Sequence, residues 1–194
     1  MSDSVPTATP ADMAAPELRG LRKPGLFGLA VLAGLGLDLF SKYAVFQAWS
    51  VNSSYPLWPG VFHISPVYNP GVAFSMLKDW PAAILALGVL LIGALVWWYW
   101  TGRKVDSQAK LCAFALLLSG ALGNLWDRLS PPYQVRDFLD FRPELPIVNH
   151  WATFNVADTF ICVGVGLFVL AEFWPAKTNP KPDDVSNPTN PSGV

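Results

Sequence analysis

Charge is what this 194-residue chain has least of: 14% of its residues are Asp, Glu, Lys or Arg, against about 25% in soluble domains. So sparse a charge excludes an ordinary water-soluble surface. The 13 basic residues are matched by 14 acidic ones, and no basic stripe gathers on a soluble face, which argues against nucleic acid as a partner. Histidine is nearly absent, and His63 and His150 have no close Cys or Glu neighbours with which to build a zinc site. No glycine-rich phosphate loop occurs. The two cysteines, Cys112 and Cys162, fall at different depths in the apolar segments described next; no disulfide is expected, and both read as small core hydrophobes.

What the chain has instead is apolar length. Aliphatic and aromatic residues and Cys make up 52% of it, with nine Trp. Four stretches approach the ~20 residues needed to cross a ~30 Å hydrocarbon layer: Leu26–Trp49, Pro81–Trp100, Leu111–Asp127 and Trp151–Trp174. The expected fold is an all-α membrane protein, a four-transmembrane-helix bundle with a small β-rich extracytoplasmic cap. The long first run and the lack of an early basic region argue for a retained span, not a cleaved signal. Residues 1–24 and 175–194, rich in Pro, Ala, Ser, Asn and Asp, read as disordered tails around a membrane domain at 25–174. Arg19, Arg22, Lys23, Arg103, Lys104, Lys110, Lys177 and Lys181 fall on one side, against Lys78, Arg136 and Arg142 on the other, so both termini are expected in the cytoplasm.

The second span carries no charge. The other three do, and an ionisable residue at membrane depth costs at least about 2.5–3.5 kcal/mol, which marks it as a functional candidate. At 1.5 Å rise per residue, Asp158 is expected about 10 Å in from Trp151 and Asp38 about 16 Å in from Trp49. Asn124, Asp127 and Arg128 end the third span at the same outer side. Asp38 with Lys42, Asn124 with Asp127 and Arg128, and Asn155 with Asp158 are spaced three or four apart and share helix faces. Gly34, Gly36, Gly120, Gly123, Gly164 and Gly166 would let such helices approach closely. Asp38–Lys42 and Asp127–Arg128 are open to a second reading as plain ion pairs, and the two asparagines as interhelical glue. Asp158 has no cation within one turn; it needs a partner from elsewhere or a proton.

Between the third and fourth spans, Pro131 and Pro132 stop the helix, and the loop that follows sets Asp137 and Asp140 among Val135, Phe138, Leu139 and Phe141. Apolar surroundings and a neighbouring acid raise a carboxyl pKa, so two such acids share one proton. That is the chemistry of an aspartyl protease; two acids in a solvated loop are the plain alternative. Ser41 beside Lys42 leaves a Ser/Lys hydrolase open. Residues 50–80 suggest short strands at Val61–Ile64 and Pro66–Tyr68, a turn at Gly71, and interfacial Trp49, Trp58, Trp80, Phe74, Met76 and Leu77: a lid on the outer surface.

In order along the chain, DLFSK (Asp38, Lys42), NPGVAFSML (Asn69, Gly71, Ala73, Phe74), GNLWDR (Gly123, Asn124, Asp127, Arg128), VRDFLDF (Asp137) and FNVAD (Asn155, Ala157, Asp158) resemble the lipoprotein signal peptidase family, also called signal peptidase II. The resemblance covers residues 26–173. It implies an intramembrane aspartyl endopeptidase of the bacterial inner membrane, its active site on the extracytoplasmic side. Such an enzyme removes the signal peptide from diacylglyceryl-modified prolipoproteins, cleaving before the lipid-modified cysteine. Asp137 and Asp158 match the catalytic dyad; Asn124 and Arg128 match positions holding the substrate backbone; Asp38, Lys42, Asp127 and Asn155 match supporting positions, and Asn69 and Gly71 the cradle. Membrane lipids and prolipoproteins are the implied partners, and the resemblance implies no metal or cofactor. The chain departs from the family in having Leu39 where Gln usually follows the first Asp, and in its long tails. The rival expectations are a small proton-coupled transporter whose acids line a path, and a non-enzymatic membrane assembly factor.

Overall fold

The computed structural model describes residues 10–71, 79–101, 107–142 and 151–173, with side chains from residue 24 onward. Four helices and three strands run in the order α1 (Pro10–Ala48), β1 (Tyr55–Trp58), β2 (Phe62–Asn69), α2 (Pro81–Thr101), α3 (Gln108–Leu129), β3 (Val135–Phe141) and α4 (Val156–Phe173). All four helices are long and apolar enough to span a bilayer, over Pro24–Ala48, Pro81–Thr101, Gln108–Leu129 and Val156–Phe173. Helix α1 begins at Pro10, inside the stretch expected as an unstructured tail, where Ala, Met, Glu and Leu favour helix. Lid residues Ala73, Phe74, Met76 and Leu77, His150, and the tail from Trp174 lie outside the described residues.

Local chemistry sets the helix boundaries. Pro81 occupies the first position of α2, where its missing N–H costs nothing. Ser107 caps α3 by accepting a hydrogen bond from the Lys110 amide at 3.2 Å. Helix α4 starts at Val156 and not at the expected Trp151. Asn155 Oδ1 accepts from the Asp158 amide at 3.0 Å, and an Asp158 oxygen accepts from the Asn155 amide at 3.1 Å. This is a reciprocal capping box. Asp158 thus stands in the first turn, not two turns deep.

Helix α3 is the hub, touching α1, α2 and α4; 44% of its apolar window is buried in protein, against 11 to 17% for the others. Glycines make this packing possible, because without a hydrophobic drive in lipid, close van der Waals approach holds helices together. A Cβ on Gly120 would lie 2.5 Å from the Ala157 carbonyl, and one on Gly123 would strike the Asp38 carboxylate. Gly34 and Gly164 face Ser119 and Leu117 as closely, whereas Gly36 and Gly166, also expected at contacts, face open space. Away from the sheet, rings of Trp98, Phe114 and Phe168 meet edge to face at 5.3–5.6 Å. Both cysteines are exposed, which corrects their reading as core residues: lipid is as apolar as a protein core, so a small apolar side chain on a spanning helix need not be packed inside.

The strands form one antiparallel sheet in the order β1-β2-β3, at what is here termed the outer end. The two short strands expected near Val61–Ile64 and Pro66–Tyr68 are a single strand, irregular between Ile64 and Val67. The third strand comes from the segment expected as a loop, so the cap extends well beyond residues 50–80. Leu139 exchanges amide hydrogen bonds with Phe154 at 2.8 and 2.9 Å, and the Trp151 amide donates to the Phe141 carbonyl at 2.9 Å. Trp151–Phe154 therefore run extended beside β3 and deliver the chain to the α4 cap. Val45, Ile64 and Phe138 form the small core beneath the sheet.

Candidate active site

Strand alternation decides where Asp137 points. On the β2–β3 ladder, Asn69 opposes Val135 and Val67 opposes Asp137, so these side chains share one face. Asn69 Nδ2 donates to Asp137 Oδ2 at 2.9 Å, while Asn69 Oδ1 accepts from the Gly71 amide at 2.9 Å. Asn155, fully buried at the α4 cap, donates through Nδ2 to Asp137 Oδ1 at 2.7 Å and to Asn124 Oδ1 at 3.2 Å. Asn124 Nδ2 in turn donates to Asp158 Oδ1 at 2.7 Å. Three asparagines thus hold two acids, and Asn155 touches both. Among the described residues neither acid forms an ion pair.

Burial of Asp137, which is 2% exposed, pushes its carboxyl from the ordinary 3.8 up to about 7, and the neighbouring Asp158 adds to the rise. The amide donors from Asn69 and Asn155 and the charge of Lys42 pull the other way without cancelling it. Near neutral pH this acid is balanced between its two forms. Asp158 is half-buried in the first turn of α4.

Behind this pair lies a second group of acids, each with a cation. Lys42 Nζ, fully buried, meets Asp38 Oδ2 at 2.8 Å and Asp127 Oδ2 at 3.0 Å and donates to Asn124 Oδ1 at 3.1 Å. Three acceptors use its three protons. Asp127 Oδ1 receives both Nε and Nη2 of Arg136 at 2.9 and 2.7 Å. Its partners are Lys42 and Arg136, not the adjacent Arg128 considered from sequence. Asp38 Oδ1 accepts the Ala157 amide at 2.8 Å, so an acid from α1 caps an orphan N–H of α4. Asp38 thus has a side-chain role despite Leu39 beside it. Ser41 donates to the Asp38 carbonyl of its own helix; with Lys42 fully engaged, the Ser/Lys alternative has no free base.

Arg128 Nη1 donates to the Asn124 carbonyl at 3.1 Å and Nη2 to the Gly71 carbonyl at 2.8 Å. Asn69, Gly71, Asn124, Arg128, Asp137 and Asp158 line one cleft of about 590 Å³. It continues as an apolar arm past Ile84, Leu87 and Leu91 of α2, Leu125 of α3, and Ile161 of α4. Asp140, weighed as a partner for Asp137, instead accepts from Arg142 at 2.5 and 2.8 Å. Three positions apart on a strand, the two acids point to opposite faces. Alternation in VRDFLDF carried that signal, and the N-x-x-D spacing carried the capping box. Nothing local to Asp127 pointed to Arg136.

The family model described as signal peptidase (SPase) II matches residues 30–174. The lipoprotein signal peptidase of Gloeothece citriformis is 37% identical over 168 residues, covering 83% of this chain and 97% of its own. That of Escherichia coli O1:K1 / APEC is 39% identical over 155 residues, covering 76% and 88%. Two solved bacterial membrane enzymes share the fold. One has a TM-score of 0.68 at 24% identity, covering 81% of this chain and 95% of that one; the other has 0.65 at 25%, covering 76% and 92%. With a matching model across most of its length and relatives at this identity, the chain belongs to the signal peptidase II family.

Proposed function

We propose that the chain is an aspartic endopeptidase of the bacterial inner membrane that cleaves diacylglyceryl-modified prolipoproteins before the lipid-modified cysteine, with Asp137 and Asp158 as its dyad. The observation that carries this reading is Asn155 bridging two acids that, among the described residues, have amide donors in place of ion-pair partners. Asp158 takes a proton from water, whose oxygen attacks the scissile carbonyl carbon; Asp137 gives its proton to the carbonyl oxygen. Collapse of the resulting diol returns a proton to the leaving amine and regenerates the pair. Arg128 and Asn124 hold the substrate backbone, and Asn69 and Gly71 edge the cleft. Asp38, Lys42, Asp127 and Asn155 keep the acids in register. The apolar arm suits a substrate that stays in the bilayer. The Lys and Arg distribution supports cytoplasmic termini and an extracytoplasmic site, with residues 25–174 as the peptidase domain between two tails. Membership of a peptidase family favours this reading over a carrier.

The test is purified full chain in bilayers, given a prolipoprotein with or without the diacylglyceryl group, with products weighed by mass spectrometry. A single cut before the modified cysteine, and none in the unmodified form, is expected. Equal cutting of both forms, or a cut elsewhere, overturns the assignment.

A further inference from the structure

The face of the β2–β3 ladder opposite the dyad carries a cavity of its own. Tyr68 and Arg136 oppose each other across the ladder, and alternation turns them away from Asn69, Val135 and Asp137. They open on a cavity of about 280 Å³, far larger than the ~30 Å³ share of one water. Its other walls are the outer ends of α1 and α3 and the turn between α3 and β3.

Two features indicate what it holds. Its donors are unspent: Arg136 uses Nε, Nη2 and its amide on Asp127, and Nη1 makes no hydrogen bond among the described residues. The side chains of Gln47, Gln134 and Ser130, which also line the cavity, make none there either. Its rim is aromatic: Tyr43 and Trp126 are 59% and 56% exposed, at the helix ends where aromatic side chains meet lipid headgroups. A guanidinium edge with amide and hydroxyl donors around it is a phosphate-binding set. Asp127 also lines the cavity; with Asp38, Lys42 and Arg136 it makes a neutral set of two acids and two bases, so the phosphate is held by the free hydrogen-bond donors and not by net charge.

We infer that this cavity, formed by Arg136, Gln134, Gln47 and Ser130 behind the Tyr43 and Trp126 rim, binds the phosphodiester headgroup of a membrane phospholipid, separately from the catalytic cleft. The lipid seats its phosphate on Arg136 Nη1 and leaves its chains along the outer ends of α1 and α3.

The experiment titrates delipidated full chain in detergent with dihexanoyl phosphatidylglycerol below its micelle concentration, and separately with inorganic phosphate, followed by 31P NMR. Saturable lipid binding is expected, weakened at least tenfold by Arg136→Gln. Because that change also strips Asp127 of a partner, Gln47→Leu/Gln134→Leu, which leaves the ion pair intact, is measured alongside and is expected to weaken binding at least threefold. Asp158→Asn, on the other face, is expected to leave binding unchanged. Binding insensitive to both cavity variants overturns the proposal, as does an equal loss in Asp158→Asn. Inorganic phosphate binding as tightly as the lipid would make this a free-anion site and overturn the lipid assignment.

Discussion

Two groups of carboxylates lie side by side at the outer end of the bundle and are treated oppositely. Asp38 and Asp127 share Lys42, and Asp127 has Arg136 besides. Among the described residues Asp137 and Asp158 accept hydrogen bonds only from amides, those of Asn69, Asn124, Asn155 and the Asn155 backbone, and the charges of Lys42 and Arg128 act on them only from beyond ion-pair distance. Burying a charge is tolerable when it is paired, so the first group reads as structure. An acid left without a cation remains buried at a standing cost unless it holds a proton. On the proposed dyad, the difference separates scaffold from chemistry within one polar cluster, where depth and burial alone would not.

Each side of this contrast responds to its own substitutions. On the reactive side, Asp158→Asn should lower cleavage by about 10³-fold or more while the melting temperature stays within a few degrees, since Asn retains an acceptor for Asn124; circular dichroism and product analysis check both. On the scaffold side, Lys42→Met leaves Asp38 and Asp127 deprived of a shared cation. Unfolding in detergent should show a loss of about 3–5 kcal/mol, with any fall in cleavage following from it. Gly123→Ala presses a methyl against the Asp38 carboxylate and should cost about 1–3 kcal/mol, measured the same way. Smallest is Arg142→Gln. Although Asp140 is 1% exposed, Arg142 is 41% exposed and screened by solvent, so a loss under about 1 kcal/mol is expected. A large effect there would blur the line between the groups.

The four spans were legible because apolar length is a strong signal, and the polar residues that meet at the cleft because they fall in five short motifs in family order. The boundaries between span and cap were not. Trp151–Phe154 look like membrane helix by composition, yet they run beside β3, and only the capping box at Asn155 and Asp158 marks where α4 starts. Strand β3 escaped notice because its pairing partner, β2, lies some seventy residues earlier, and pairing at that range leaves no local trace beyond alternation. Arg136 read as a loop cation for the same reason: its distance from Asp127 is set by the turn at 130–134, which side-chain spacing on a helix does not report.

The proton on Asp137 ties the contrast to pH. Its folded value, about 7, lies above its ordinary 3.8, so the folded chain binds this proton more tightly than the unfolded one. Folding stability from this group is therefore greatest at low pH and is lost as pH rises through about 7. Asp137→Asn should flatten the dependence of melting on pH between 5 and 8. In the proposed mechanism the same proton is the one given to the scissile carbonyl, which makes the most direct measurement the rate of prolipoprotein cleavage from pH 5 to 9 by wild type and by Asp137→Asn in the same bilayers. A wild-type rate that declines as pH rises through about 7, with no product from the variant at any pH, is the predicted result. Cleavage by folded Asp137→Asn, or a wild-type rate level to pH 9, would contradict it.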